Sequence, residues 1–323
     1  MSAETILVTG GTGFLGAALV RQLATMDSCA LVLPVRNIHT QFSPFARVLQ
    51  INGLDADTDW RQALLGVDKV VHAAARVHVM KEASADPLAE FRKVNVDGTL
   101  NLARQSAAAG VKRFIFISSI KVNGERTDIG AAYCADDVPA PVDPYGITKM
   151  EAEQGLRELA SSSSMEVVII RPVLIYGPGV KANFLSMMNW LSKGVPLPFG
   201  AIHNRRSLVA LDNLIDLIIT CLNHPAAANQ TFLVSDGQDV STTDLLRKTS
   251  DALRHPARLI PLPVCIMRVL AVSLGKQALS QRLFDSLQVD ISKNKLLLDW
   301  TPPMSLEQSL AKTAQHFLES TKS

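Results

Sequence analysis

This sequence predicts an α/β fold, a doubly wound parallel sheet with a smaller mixed C-terminal domain, on three observations. A short apolar strand at the start runs straight into a glycine-rich turn and an apolar-periodic helix. Apolar strand-like runs then alternate with helix-compatible sequence, and beyond Gly179 that alternation fades while prolines become frequent. Strands that alternate with helices return parallel to one another through right-handed crossovers.

The first strand is Ile6–Thr9. It enters Gly10-Gly11-Thr12-Gly13-Phe14-Leu15-Gly16, and a helix follows through Leu23. In an open sheet such a turn aims backbone N–H groups at a pyrophosphate. The spacing is G-x-x-G-x-x-G where the usual dinucleotide pattern is G-x-G-x-x-G. Gly10 permits the sharp turn, Gly13 the close approach of backbone to phosphate, and Gly16 the packing of helix on sheet. Further strands are expected at Ala30–Val35, Lys69–Ala73, Arg113–Ser118 and Val167–Arg171. Ser84–Ala109 reads as a long helix with apolar positions at Leu88, Phe91, Val94 and Leu102, and Tyr145–Leu159 as a second. Two long helices on one side of such a sheet are natural dimer surfaces, so a homodimer is expected. Ser161–Ser164 reads as a solvated loop, and Leu259–Leu274, interrupted by Pro261, Pro263 and Arg268, as a loop followed by a helix.

The chain has 323 residues, 47% of them hydrophobic, enough for a sizeable core in one large domain or two modest ones. Its formal charge of +2 is the remainder of 32 basic and 30 acidic residues, and no basic cluster is interleaved with aromatics, which argues against nucleic acid as a partner. Cys29, Cys134, Cys221 and Cys265 are scattered without C-x-x-C pairs or metal-ligand spacing, so no metal site is expected and reduced thiols in a cytosol are. Met1–Glu4 has no basic start, and no uninterrupted apolar run reaches the roughly 20 residues a bilayer requires. A cytoplasmic protein is expected.

Tyr145-Gly146-Ile147-Thr148-Lys149 places a phenol and an ammonium four residues apart, on one face at the start of a helix. Lowering a phenol's pKa by about three units takes on the order of 4 kcal/mol. A neighbouring ammonium and the positive charge of a nicotinamide ring can provide it by favouring phenolate. Ser118 and Ser119 close a predicted strand, where ligand-binding groups gather in open parallel sheets. A hydroxyl there can hydrogen-bond the carbonyl or alkoxide oxygen that Tyr145 protonates or deprotonates. With the glycine loop, these residues predict hydride transfer at a carbonyl, with Ser119, Tyr145 and Lys149 catalytic.

At these residues the chain resembles the extended short-chain dehydrogenase/reductase family, in particular its nucleotide-sugar epimerase, dehydratase and ketoreductase members. The resemblance is carried by Thr9 to Gly16, His72-Ala73-Ala74, Asn95-Val96-Asp97-Gly98-Thr99, Ser118-Ser119, Tyr145 to Lys149, Arg171-Pro172 and Tyr176-Gly177-Pro178-Gly179, in order along nearly the whole chain. It implies a Rossmann-like cofactor domain over residues 1–178, with 206–235 returning to it, and a nucleotide-sugar domain over 179–323. Ser119 would orient the substrate oxygen, Tyr145 act as acid/base, and Lys149 lower its pKa while holding the nicotinamide ribose. The cofactor would also be lined by Gly10, Thr12, Gly13, Phe14, Leu15, Gly16, Arg36, Asn37, Leu54, Ala73, Ala74, Ala75, Asn95, Ser118 and Pro172. His72 is expected to be a packing residue.

Two departures sharpen this reading. Family dehydratases carry an Asp-Glu pair directly after the active-site hydroxyl; here Ile120 and Lys121 stand there, which argues against a 4,6-dehydratase and turns Lys121 toward the sugar or toward solvent. After the second strand the sequence is Pro34-Val35-Arg36-Asn37, with no carboxylate for a ribose diol, and a guanidinium pairs with a 2′-phosphate, so NADP is favoured over NAD. Arg206 is the expected diphosphate ligand, with Arg205 and Arg282 in support, and Arg76, His78, Val122, Asn123 and Asn183 as further substrate contacts. The resemblance then implies reduction of the C4 ketone of a UDP-4-keto-6-deoxy-N-acetylhexosamine in O-antigen synthesis. The alternative is a UDP-sugar 4-epimerase with tightly bound NAD, and a more remote one is an NADP-sensing scaffold without turnover.

Overall fold

The computed structural model describes residues 4–26, 28–38, 46–77, 86–273, 275 and 277–321, with only the backbone at 270, 277–279 and 282. Among these, seven strands form one parallel sheet: β1 (Glu4–Thr9), β2 (Cys29–Val35), β3 (Ala46–Gln50), β4 (Lys69–His72), β5 (Arg113–Ile117), β6 (Glu166–Pro172) and β9 (Thr231–Val234). A second, two-stranded parallel sheet joins β7 (Leu174–Tyr176) to β8 (Leu208–Ala210). The large sheet has the order β3-β2-β1-β4-β5-β6-β9, so chain direction across it reverses between β1 and β4, where Thr9 pairs with His72. Open sheets bind ligands outside the carboxyl ends of the strands at such a reversal.

The five expected strands are all present. β3 is an addition, a half-buried edge strand whose Arg47 and Gln50 break the apolar run, and β9 closes the opposite edge.

The helices in chain order are α1 (Phe14–Leu23), α2 (Arg61–Leu64), α3 (Pro87–Arg92), α4 (Thr99–Ala108), α5 (Pro144–Ser162), α6 (Ala182–Ser192), α7 (Leu211–Asn223), α8 (Thr242–Ala252), α9 (Val264–Ser273), α10 (Gln277–Phe284), α11 (Ser292–Leu298) and α12 (Leu306–Ser320). Apart from β3, the strands of the large sheet are buried on both faces. On one, Ile6, Val8, Ile115 and Ile170 meet Leu19 and Leu23 of α1 and Leu214 and Ile218 of α7. On the other, Leu7, Val70, Phe114 and Phe116 meet Leu102 of α4 and Ala152 and Leu156 of α5. Burying a side chain of this size stabilises by about 1.5–3 kcal/mol. A separate cluster around Tyr176, Phe184, Met188, Leu246, Leu310 and Phe317 fastens α6, α8 and α12 together. No helix among the described residues is long and apolar enough to cross a membrane.

The long helix expected over Ser84–Ala109 is corrected in its interior. It is described from Pro87, capped by Asp86, whose carboxylate accepts from the Ala89 N–H at 3.1 Å, and Lys93–Gly98 is a π-helical turn between α3 and α4. Gly98 is required there: a Cβ would lie 2.6 Å from the Leu54 carbonyl oxygen. The second long helix runs as α5, with Asp143 as N-cap and Pro144 in its first turn, a pairing suited to a helix start.

Candidate active site

The glycine turn between β1 and α1 is built as the spacing predicts. Gly10 has φ +72°, and its carbonyl accepts from the Gly13 N–H at 2.8 Å. A Cβ on Gly10 would sit 2.8 Å from the Ala74 nitrogen, so the turn lies directly against the segment after β4. A Cβ on Gly16 would lie 2.1 Å from the Gly10 oxygen, which leaves only glycine there. The first turn of α1 has Gly13 as N-cap, with no side-chain cap and no acidic residue, so its N–H groups and positive dipole end point into the sheet's crevice. Those features fit a dinucleotide pyrophosphate. Thr12 and Gly13 are exposed, Phe14 is half-buried and Leu15 buried.

Thr9 and His72 brace this crevice. The Thr9 hydroxyl lies 2.8 Å from His72 Nδ1 and accepts from the Ala74 N–H at 3.2 Å, while His72 Nε2 lies 2.9 Å from the Thr99 hydroxyl. His72 is fully buried beside the Phe114 and Phe116 rings, and burial together with the Lys149 charge pushes its pKa down to about 3. It is a neutral bridging group. Ala73, Ala74 and Ala75 follow it, half-buried. Asn95, in the π turn, is 1% exposed: its side-chain oxygen accepts from the Arg76 N–H at 2.8 Å, and its amide donates to the Arg76 carbonyl at 3.1 Å and the Thr148 hydroxyl at 3.2 Å. Asn95 thus ties the loop after β4 to the helix that carries Tyr145.

β5 ends at Ile117, and Ser118 and Ser119 follow. Their hydroxyls diverge. Ser118 donates to Glu153 at 2.6 Å, whereas the Ser119 hydroxyl caps the short 3₁₀ turn 120–122 by accepting from the Lys121 N–H at 3.2 Å. Tyr145 is half-buried in the first turn of α5, its ring edge-on to Phe91 at 6.4 Å. Lys149 is 2% exposed; its ammonium donates to the Ile117 carbonyl at 2.8 Å and lies 4.3 Å from the Phe116 ring centre and 5.9 Å from that of Tyr145. The phenol, the ammonium and the strand end that bears Ser119 are therefore brought to one place.

The protein's own side chains do not lower the phenol; the expected lowering also draws on the positive charge of a nicotinamide ring. Burial, with the Asp143 carboxylate second, pushes Tyr145 up, and burial pushes Lys149 down to about 7 against the opposing pull of Glu153. The ammonium faces a carbonyl and a ring rather than the phenol oxygen.

Behind this cluster lies a polar network that the sequence reading missed. Glu153, fully buried, accepts from Ser118, from Arg171 at 2.9 and 2.6 Å, and from Arg157 at 2.9 Å. Arg171 also donates to the Asn123 side-chain oxygen at 2.9 Å, and the Asn123 amide donates to the Cys134 carbonyl at 2.9 Å. Tyr145, Lys149 and Glu153 recur every four residues and share a face, and that spacing is the signal that could have revealed Glu153.

The remaining candidates are more dispersed. Arg36 and Asn37 are exposed beyond β2, and Leu54 presents its carbonyl to Gly98. Pro172 is buried at the end of β6. Val122 is fully buried, and the Asn123 side chain is turned inward to Arg171. Lys121 is held in ion pairs with Asp143 and, at 3.0 Å, Glu125. Asn183 is exposed at the start of α6, and Arg206, half-buried, donates to the Asp285 carbonyl at 3.0 Å. Arg76 stands 5.7 Å from the centre of the Phe91 ring. His78 and the side chain of Arg282 lie outside the described residues. Among those described, no group of histidine, cysteine and carboxylate side chains is arranged to hold a metal.

Comparison with known proteins finds relatives along nearly the whole chain. A Vibrio cholerae protein named UDP-glucose 4-epimerase is 49% identical over 317 residues, covering 98% of this chain and 96% of its own. A GDP-6-deoxy-D-mannose reductase from Pseudomonas aeruginosa is 25% identical, covering 95% of each chain. The crystal structure of a UDP-glucuronic acid 4-epimerase from Bacillus cereus in complex with NAD has the same fold, with a TM-score of 0.78 at 21% identity over 98% of this chain and 96% of that one. The pattern of the NAD dependent epimerase/dehydratase family matches residues 6–235, and with the cofactor cradle and the Ser119, Tyr145 and Lys149 cluster in place, this chain belongs to that family.

Proposed function

We propose that this chain is a UDP-sugar 4-epimerase that keeps its nicotinamide dinucleotide through the catalytic cycle. The observation that carries this over the reductase expected from the sequence is the near full-length match to the Vibrio cholerae epimerase. The Gly10–Gly16 turn and the start of α1 would hold the dinucleotide, which would supply a reversible hydride acceptor for the sugar carbon. Tyr145 accepts the C4 hydroxyl proton as that carbon is oxidised and returns it when the ketone is reduced from the opposite face. Ser119 hydrogen-bonds the same oxygen, and Lys149, whose Nζ lies 5.9 Å from the Tyr145 ring centre, would hold the nicotinamide ribose. Inversion requires the sugar to turn within its pocket, whereas reduction requires exchange of the dinucleotide at each turnover.

A second reading, an NADPH-dependent 4-ketoreductase, is favoured by Arg36, which stands exposed after β2 where an NAD site normally offers an acid. One experiment separates the two. The protein is purified without added cofactor and its bound nucleotide identified, then given UDP-glucose alone or UDP-4-keto-6-deoxy-N-acetylglucosamine with NADPH. The epimerase reading expects retained dinucleotide and formation of UDP-galactose without supplement. Consumption of NADPH by the keto sugar, without interconversion of the hexoses, would replace it with the reductase. Tyr145→Phe removes the proton relay and lowers either activity by about 10²–10⁴-fold. The same reading makes the enzyme a cytoplasmic homodimer joined through the outer surfaces of α4 and α5, which sedimentation checks.

A further inference from the structure

Lys121 belongs to two structures at once. Its backbone N–H donates to the Ser119 hydroxyl, and its ammonium pairs with Asp143 and Glu125. Asp143 is the N-cap of α5: its other carboxylate oxygen accepts from the Gly146 N–H at 2.7 Å. The two segments fit flush, because a Cβ on Gly146 would lie 2.8 Å from the Lys121 carbonyl oxygen and 3.2 Å from Lys121 Cβ. Glycine at the second place of the Tyr-Gly-Ile-Thr-Lys run is what lets the 3₁₀ turn sit against the helix start. The ion pair is partly shielded, with side-chain exposures of 29% and 26%, so solvent screens it incompletely.

We propose that Lys121 is a positioning residue for the proton-transfer chemistry, locking the Ser119 turn to the first turn of α5 and neutralising the Asp143 carboxylate that caps the helix start two residues before Tyr145. This rests on Tyr145 being the acid/base. Asp143 is the charged group that adds to burial in pushing Tyr145 up. The other charges on the elements around Tyr145 are engaged or exposed. On α3, Glu90 is exposed and Arg92 is paired with Glu151 of α5; on the π turn, Lys93 and Asp97 are exposed, as is Arg104 on α4. On β6, Arg171 is neutralised by Glu153, and Glu166 is paired with Arg113. Arg76 stacks on Phe91 beyond the Tyr145 ring, His72 is neutral and Lys149 faces Ile117. Lys121 is the cation that meets the Asp143 carboxylate.

The test is the pH dependence of kcat/KM for UDP-glucose in the holoenzyme, for the wild type, Lys121→Met, Lys121→Arg, Asp143→Asn and the double variant Lys121→Met/Asp143→Asn. Titration of phenolate absorbance, with the Tyr145→Phe spectrum subtracted, provides a readout independent of turnover. Lys121→Met is expected to move the acid limb and the phenolate midpoint up by about 0.5–1 pH unit, a threefold to tenfold loss of activity below the limb. Lys121→Arg restores both. Asp143→Asn, which still caps the helix, moves the midpoint down, and the double variant falls with Asp143→Asn because no carboxylate remains to be neutralised. An unmoved midpoint in folded Lys121→Met, a rise in KM alone, or an upward shift that survives in the double variant would each overturn the proposal. Should Lys121→Met not fold, Lys121→Gln, which also removes the charge, is read by the same outcomes. A fully active Tyr145→Phe would instead overturn the reading of the site.

Discussion

Replacing Lys149 with methionine changes how stability depends on alkaline pH, by an amount set by the burial of its ammonium. Lys149 is 2% exposed, and burial holds its pKa at about 7 where the ordinary value is 10.5. In the unfolded chain the amine stays protonated up to about 10.5, so between pH 7 and 10.5 the unfolded state binds more protons than the native one. Native stability therefore rises with pH in that window, by about 1.4 kcal/mol per unit and about 4–5 kcal/mol across it. Below pH 7 both states are protonated and the contribution is flat. Methionine retains an apolar stem against Phe116 but carries no proton, so the rise disappears. The variant also leaves the Ile117 carbonyl without its donor, at about 1–3 kcal/mol, a loss that is nearly the same at every pH and drops out of the comparison. Urea unfolding of the dinucleotide-free wild type and Lys149→Met at pH 7.5, 8.5 and 9.5 reads the difference. The gap should widen in favour of the wild type by about 1.4 kcal/mol per unit. A gap that stays constant over those two units would refute the assignment of a neutralised, buried lysine.

Two further outcomes follow from contacts already described. Gly16→Ala drives a methyl to 2.1 Å from the Gly10 oxygen, a backbone atom that can retreat only by displacing the phosphate-facing turn; nicotinamide fluorescence should report dinucleotide affinity weakened by about 10²-fold. Arg171→Met leaves the fully buried Glu153 carboxylate without its bidentate partner and should lower unfolding free energy by about 3–5 kcal/mol, whereas Arg157→Met, at a guanidinium 45% exposed, should cost under about 1 kcal/mol, both read from urea midpoints.

The framework was legible because the strands of a parallel sheet covered on both faces are continuous apolar runs. Val70-Val71, Phe114 to Ile117 and Val167 to Ile170 announce themselves in that way, as does the glycine turn, whose steric demand can be met by no other residue. β3 was not legible, since an edge strand reading Ala-Arg-Val-Leu-Gln leaves Arg47 and Gln50 exposed and has the composition of a loop. Within the site, Ser119, Tyr145 and Lys149 were found because their chemistry is recognisable at short spacing. Glu153 was not, and Asn123 was assigned to the substrate rather than to Arg171, because a buried polar network is defined by partners 18 and 48 residues apart. Lys121 was assigned to the sugar or the solvent for the same reason. Its partner Asp143 is 22 residues away, and only folding brings the pair together. The partner of the Lys149 ammonium was not legible on a different ground: two residues at helical spacing share a face, but spacing does not say which acceptor an ammonium chooses, and here the Ile117 carbonyl takes it.

The π turn at Lys93–Gly98 gives the protein a phase shifter. Each residue in an ordinary helix advances about 100° around the axis, so one surplus residue offsets everything before it from everything after it by that angle. Upstream of it Phe91 meets the ring of Tyr145 edge-on, and downstream Leu102 and Ala103 are seated on the sheet. Excising a single residue from the turn would restore regularity and swing the upstream half away from the catalytic helix.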